Sequence, residues 1–119
     1  MCARAIEIDK RIRSVFHNGR YIGLVLENEG QPSNELRLYN RSGDVVLSED
    51  FEGEYSSIRL VGNQIIMFEQ SKCIIFTRSG IRRFEGELEG NILEIFPVMG
   101  INRYLVMSTN GMNEVRLVR

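Results

Sequence analysis

A chain of 119 residues with 15 Lys plus Arg against 16 Asp plus Glu, one His, two Cys, two Pro and no Trp is one domain's worth of polypeptide. It can bury about two-thirds of its unfolded surface without disulfide staples. A formal net charge of −1 denies it the basic field on which most nucleic-acid affinity rests, and no local Lys/Arg cluster compensates, so no nucleic-acid partner is expected. No apolar run approaches the roughly 18 residues of a membrane-spanning helix, and Met1–Lys10 has no signal-peptide core, so the chain carries no membrane segment.

Taken in order, the strand signals are Ile12–Phe16, Arg20–Glu27, Glu35–Asn40, Asp44–Phe51, Ser57–Val61, Gln64–Glu69, Lys72–Thr77, Ile81–Leu88, Ile92–Pro97, Arg103–Ser108 and Glu114–Arg119. Each is short and rich in β-branched or aromatic residues, and most are followed within a few positions by Gly, Asn, Asp or Ser. No window of 11 or more residues keeps an uninterrupted helical stripe, so the fold class is all-β. Asn18-Gly19, Gly62-Asn63 and Asn110-Gly111 are pairs that tolerate positive φ and suit tight hairpin turns. Arg41-Ser-Gly43 and Arg78-Ser-Gly80 read as turns too, and Glu27–Asn34 is a polar loop between two strands.

The sequence repeats. Glu35-Leu-Arg-Leu-Tyr-Asn-Arg-Ser-Gly43 is matched 37 residues later by Lys72-Cys-Ile-Ile-Phe-Thr-Arg-Ser-Gly80, and the match runs ungapped until Phe51-Glu-Gly53 falls on Leu88-Glu-Gly90. Glu114-Val-Arg-Leu-Val-Arg119 overlays Glu35–Asn40 as the start of a third copy. The units are roughly 11–54, 55–90 and 91–119 of a single β-repeat domain, 1–119, with each full unit supplying four antiparallel strands. The third lacks its fourth strand, for which residues 3–9 are the candidate. Four strands per unit of about 40 residues is the period of β-propeller blades, and an N-terminal strand that completes the last blade is a usual closure. The same local signals would also serve a compact β-sandwich.

These features resemble a propeller repeat region of the WD-like or quinoprotein-like kind, although neither a Trp-Asp dipeptide nor a Gly-His pair is present. More closely, Leu60-Val-Gly-Asn-Gln-Ile-Ile-Met67, Cys73-Ile-Ile-Phe-Thr-Arg-Ser-Gly80, Gly90-Asn-Ile-Leu-Glu-Ile-Phe96 and Glu114-Val-Arg-Leu117 are similar to the C-terminal repeats of a bacterial domain family of unknown function, over residues 11 to 119. That resemblance implies a propeller-like domain held outside the membrane, in the cell envelope, by an N-terminal anchor absent from this sequence. It carries no catalytic residues. Three blades would leave two apolar faces bare, which points either to the C-terminal part of a longer propeller or to two copies associating into a six-bladed ring.

Each chemically interesting residue has a structural reading. His17, beside Asn18-Gly19, is expected as an exposed turn histidine. Glu49, Asp50, Glu52 and Glu54, with Glu85, Glu87 and Glu89 in the next unit, read as charged edge strands that discourage edge pairing. Arg37, Arg59 and Arg116 lie within strands, and the first and last share a repeat position, which suggests pairing with carboxylates of a neighbouring blade. Arg78, Arg82 and Arg83, flanked by Glu85 and Glu87, read as paired. Cys73 reads as a small buried hydrophobe, and Cys2 lies at the N-terminal fringe. Asn40-Arg-Ser42 is a glycosylation sequon of low specificity. No metal-ligand spacing, calcium loop, phosphate loop or nucleophile motif occurs, so no catalytic, cofactor-binding or metal residue and no cofactor is expected. The expected function is a non-catalytic propeller-like binding or interaction scaffold, part of a larger protein or assembly, with a protein partner or self-association. The alternative is part of a propeller enzyme, although its inner strands would here offer only Arg13, Arg59 and Glu94.

Overall fold

The computed structural model describes residues 5–118. It is all-β: among the described residues there are eleven strands and no helix, arranged in antiparallel sheets of four, four and three strands with no closed barrel. The chain divides into two compact units, Met1–Gly53 and Glu54–Arg119.

The first unit holds one sheet in the order β1 (Ile12–His17), β2 (Tyr21–Glu27), β3 (Ser33–Asn40), β4 (Val45–Glu52). Asn18 closes the first turn, its Oδ1 accepting from the backbone N–H groups of Arg20 at 2.7 Å and Tyr21 at 2.9 Å. β3 starts two residues earlier than the sequence suggests, because Asn34 pairs with both Glu27 and Phe51. The polar loop accordingly shrinks to residues 28–32. Residues 5–9 form no strand; Ile8 instead packs on Leu24, Leu26 and Tyr39 of this unit's own sheet. The closing strand expected over 3–9 falls partly outside the described residues, and within them it does not form.

The second unit holds two sheets. One is β5 (Ser57–Val61), β6 (Gln64–Glu69), β7 (Lys72–Thr77), β8 (Arg82–Glu87), and the other is β9 (Ile92–Pro97), β10 (Arg103–Ser108), β11 (Gly111–Arg116). Their core is a single apolar layer of Ile66, Phe68, Cys73 and Ile75 from the first and Ile92, Ile95, Tyr104 and Val106 from the second, with Leu117 just past β11. At about 1.5 to 3 kcal/mol for each large apolar side chain removed from water, this layer is a main source of the unit's stability.

The 37-residue repeat is a repeat of geometry. Leu38 pairs with Leu47 and Tyr39 with Val45 across a bulge, and Ile75 pairs with Phe84 and Phe76 with Arg82 across the same bulge. The turns match as well. The N–H of Gly43 donates to the Asn40 carbonyl at 3.1 Å and that of Gly80 to the Thr77 carbonyl at 3.0 Å, with φ of 84° and 96° at the two glycines. Left-handed backbone of this kind costs any residue with a Cβ, which is why the Arg-Ser-Gly tripeptide recurs.

The third copy is not where the residue letters place it. β6 and β7 join through Gln70-Ser71 with Glu69 opposite Lys72, and β10 and β11 join through Thr109-Asn110 with Ser108 opposite Gly111. The equivalent hairpins are thus 39 residues apart, not the 42 implied by laying Glu114–Arg119 on Lys72–Thr77. The discrepancy of three is odd, and in a strand an odd slip transfers every side chain to the opposite face. Val115 therefore corresponds to Phe76 and not to Cys73, and Arg116 does not share a position with Arg37. Gly111 opens β11 rather than sitting within the turn.

Candidate functional site

Pairing registers sort every sheet into two faces. In the middle sheet a front face carries Ile65, Met67, Ile74 and Phe76, and a back face carries Ile66, Phe68, Cys73 and Ile75. Corresponding front positions are Ile22, Leu24, Arg37 and Tyr39 in the first sheet and Tyr104, Val106 and Val115 in the third. The third sheet's back face holds Leu105, Met107, Met112 and Glu114. Within the second unit the joint is front on back: the third sheet lays its front on the middle sheet's back. Polar contacts key this joint. The Tyr104 hydroxyl donates to Gln64 Oε1, and Arg59, seated 5.4 Å from the Phe68 ring centroid, pairs with Glu94 at 3.0 Å. Burial raises the Tyr104 hydroxyl's pKa, partly offset by Arg83, and pushes the Cys73 thiol up to about 12. A thiol so far from ionisation is a packing group, not a nucleophile.

Among the described residues, apolar side chains stay exposed on two sheet faces. On the third sheet's back, Phe96 is 49% and Met112 55% exposed, with Leu93 and Met107 beside them. On the first sheet's front, Val15 is 61% and Ile22 52% exposed, next to Ile12 and Val45. Residues of the latter face line a groove of about 780 Å³ together with Ile6, Ile8, His17, Arg20, Asn40 and Arg41. His17 is exposed, as the sequence suggests, at the end of β1 on the side of Ile22.

The other end of the same front face holds a network that no motif announces. Glu35, only 4% exposed, receives Arg37 Nε at 2.8 Å and Nη2 at 3.0 Å, Lys10 Nζ at 2.7 Å and Ser48 Oγ at 2.7 Å. Arg37 Nη1 continues to Asp9 at 2.9 Å and to the Tyr39 hydroxyl at 3.2 Å. Lys10 also reaches Asn28 Oδ1 at 2.6 Å, and the Asn28 amide reaches Ser33 and Asp50. Hydrogen bonds from Arg37, Lys10 and Ser48 outweigh desolvation and hold the Glu35 carboxyl at about 2, while the Arg37 guanidinium is raised in turn. A forked guanidinium on a nearly buried carboxylate is a strong, directional pair when the remaining lone pairs are satisfied. Here they are: among the described residues no buried side-chain N or O lacks a partner. The network clasps residues 9 and 10 onto the sheet. Its groups neutralise one another, so it is built for fastening rather than for proton transfer.

The remaining candidates take structural places. Arg37 pairs within its own unit, through Glu35 and Asp9, and not with another sheet's carboxylate, because residues two apart on a strand share a face. Arg59, in contrast, does pair across sheets. Arg82 bridges Glu85 at 2.8 Å and lies 5.2 Å from the Phe76 centroid. Arg116 faces Arg103 across the hairpin, and Arg103 pairs with Glu114 at 3.1 Å. β4 and β8 are edge strands, with Glu52, Asp50, Glu85 and Glu87 exposed along them. Asn40 Oδ1 accepts from the N–H groups of Ser42 and Asp44 at 3.0 Å each, within its own turn. Cys2 lies outside the described residues. Among the described residues no group of three or more His, Cys, Asp or Glu could hold a metal ion, and no helix is long and apolar enough to cross a membrane.

An all-β repeat of antiparallel sheets, jointed front on back and leaving an apolar face open on each unit, is the class of protein that these features define. The chain belongs to a family of unknown function, DUF5711, whose model matches residues 2–117. No curated protein and no solved structure matches it.

Proposed function

We propose that the protein is a non-catalytic, β-propeller-like interaction scaffold that works by offering sheet faces to protein partners within a larger assembly. The front-on-back joint between the middle and third sheets supports this reading. A joint between unlike faces is heterologous, so it can be repeated indefinitely or closed into a ring, as blades are. Ile22, on a front face in the first unit, and Met112, on a back face in the second, are each about half exposed. Exposed apolar patches of this kind mark interaction surfaces in soluble domains. Activity in the bacterial cell envelope belongs to the same reading and rests on resemblance.

Methionine oxidation gives the test. Met107 and Met112 sit on the open back face, and Met99, 94% exposed, sits off it between β9 and β10. In intact cells of the native host, Met112 should oxidise several-fold more slowly relative to Met99 than it does in the dilute purified protein. Equal ratios in cells and in dilute solution would refute the scaffold reading for this face.

A further inference from the structure

We propose that the first unit binds a fatty acid, its acyl chain laid in the groove along Val15, Ile22 and Leu24 and its carboxylate at Arg20 and Arg41. Every residue that lines the groove belongs to the first unit. The inference goes beyond the scaffold reading and does not rest on it.

The groove, of about 780 Å³, falls within the range of about 300 to 1,000 Å³ usual for small-molecule clefts. Its lining comes from β1, β2 and β3, from the turns after β1 and β3, and from Ile6 and Ile8. Register sets the rows: His17, Ile22 and Tyr39 lie side by side, and Val15 and Leu24 form the next row. Arg20 stands one residue before Tyr21 and Arg41 one after Asn40, and Tyr21 pairs with Asn40, so both arginines come to the same end. At about 3.3 Å per residue, β1 then runs about 17 Å away from them, room for an extended acyl chain of medium length. β2 and β3 are interior strands, hydrogen-bonded to neighbours on both sides, so what they offer the groove is side chains. A peptide laid there would bring backbone N–H and C=O groups in need of partners, whereas an acyl chain brings none.

Charge selects the head group. At the clasp end of this face, Arg37 and Lys10 are neutralised by Glu35 and Asp9. At the groove end, among the described residues, neither Arg20 nor Arg41 forms an ion pair. No Asp or Glu lines the groove, and the acids next to its lining in sequence, Glu7, Asp9 and Asp44, are not part of it. Asn18 and Asn40 each engage Oδ1 with backbone N–H groups of their own turn, so the polar group that each has left is an NH2 donor. Cations and donors gathered at one end of an apolar cleft complement an anion that carries an apolar tail, and guanidinium groups suit a carboxylate.

Isothermal titration of the purified full chain at pH 7.5 with octanoate, decanoate and dodecanoate, each kept below micelle formation, tests this. The expected result is one ligand per chain, bound about fourfold more tightly for each added methylene. Arg20→Gln combined with Arg41→Gln should weaken dodecanoate at least tenfold, and Ile22→Glu, which puts an acid into the lining, should do the same. Dodecyltrimethylammonium, with a tail of the same length and the opposite charge, should not bind. All three side chains are exposed, so the fold should persist; urea melts check this, and Arg41→Gln alone is the milder variant. Absence of saturable binding overturns the inference. So does equal affinity across the chain lengths, which would leave the tail outside the groove, and so does binding that the arginine variants do not weaken or that the cationic amphiphile matches. Self-association that Ile22→Glu abolishes and dodecanoate leaves undisturbed would assign the face to a second copy and overturn it as well. Each of these failures leaves the scaffold reading standing, since its own test lies on the third sheet.

Discussion

Replacing Glu35 with Gln removes the charge at the centre of the clasp while keeping its shape. In the folded protein the carboxyl sits at about 2 against an ordinary 4.5, and at about 1.4 kcal/mol per tenfold change in proton affinity that difference is worth about 3 kcal/mol. Because the folded value is the depressed one, folding favours the ionised form. The stabilisation is fully present above about pH 4.5 and is lost as pH falls towards 2. The Asp9 carboxyl, lowered by its hydrogen bond to Arg37, acts in the same direction but is exposed and contributes little. Urea unfolding of the wild type and Glu35→Gln at pH 6.5 and 2.5 separates this group from every other carboxylate, since the variant cannot titrate there. The wild type's advantage should shrink by about 2 to 3 kcal/mol between the two pH values. At pH 6.5 the variant should be less stable by at least that amount, because Arg37 and Lys10 lose the charge that neutralises them. An advantage that is the same at both pH values would refute the reasoning, because Glu35 would then titrate normally and the clasp would hold nothing.

Three further outcomes follow from the same geometry. Arg59 and Glu94 are 40% and 29% exposed, so a double-mutant cycle with Arg59→Met and Glu94→Gln should return a coupling of only about 0.5 to 1 kcal/mol, measured by urea unfolding. Gly43→Ala and Gly80→Ala, at φ of 84° and 96°, should cost the same to within a few tenths, about 1 kcal/mol each, because they occupy the same turn; thermal melts of the two variants check it. Cys73 should be inert to a thiol reagent in the native protein at pH 8 and should react only as fast as the second unit opens, so that its labelling rate rises with urea in step with unfolding.

Much of this architecture was legible in the residues. Ser57–Val61, Gln64–Glu69, Lys72–Thr77, Ile92–Pro97 and Arg103–Ser108 are strands with the bounds that their β-branched runs and flanking turn residues suggest, because apolar content and punctuation act locally. The last strand was not, since Glu-Val-Arg-Leu matches Glu-Leu-Arg-Leu by type while register answers to the hairpin at Thr109-Asn110. The clasp was not legible either. Lys10 and Glu35 are 25 residues apart and Asp9 and Arg37 are 28, distances at which a single sequence pairs nothing. One signal was present: Glu35 and Arg37 lie two apart within an apolar strand, hence on one face, and opposite charges so placed are best explained by each other. Counting units led to an expectation of bare apolar faces, but which residues are exposed on the third sheet depends on the register that the third unit's letters concealed.

Unlike faces meet in the second unit, and a methyl-to-aromatic nuclear Overhauser experiment reads that directly. Strong cross-peaks from the Ile66 and Ile75 methyls to the Tyr104 ring, with none to the Met107 or Met112 methyls, are the predicted result. Cross-peaks from Ile66 and Ile75 to Met107 and Met112, with Tyr104 silent, would place like face on like face and contradict it.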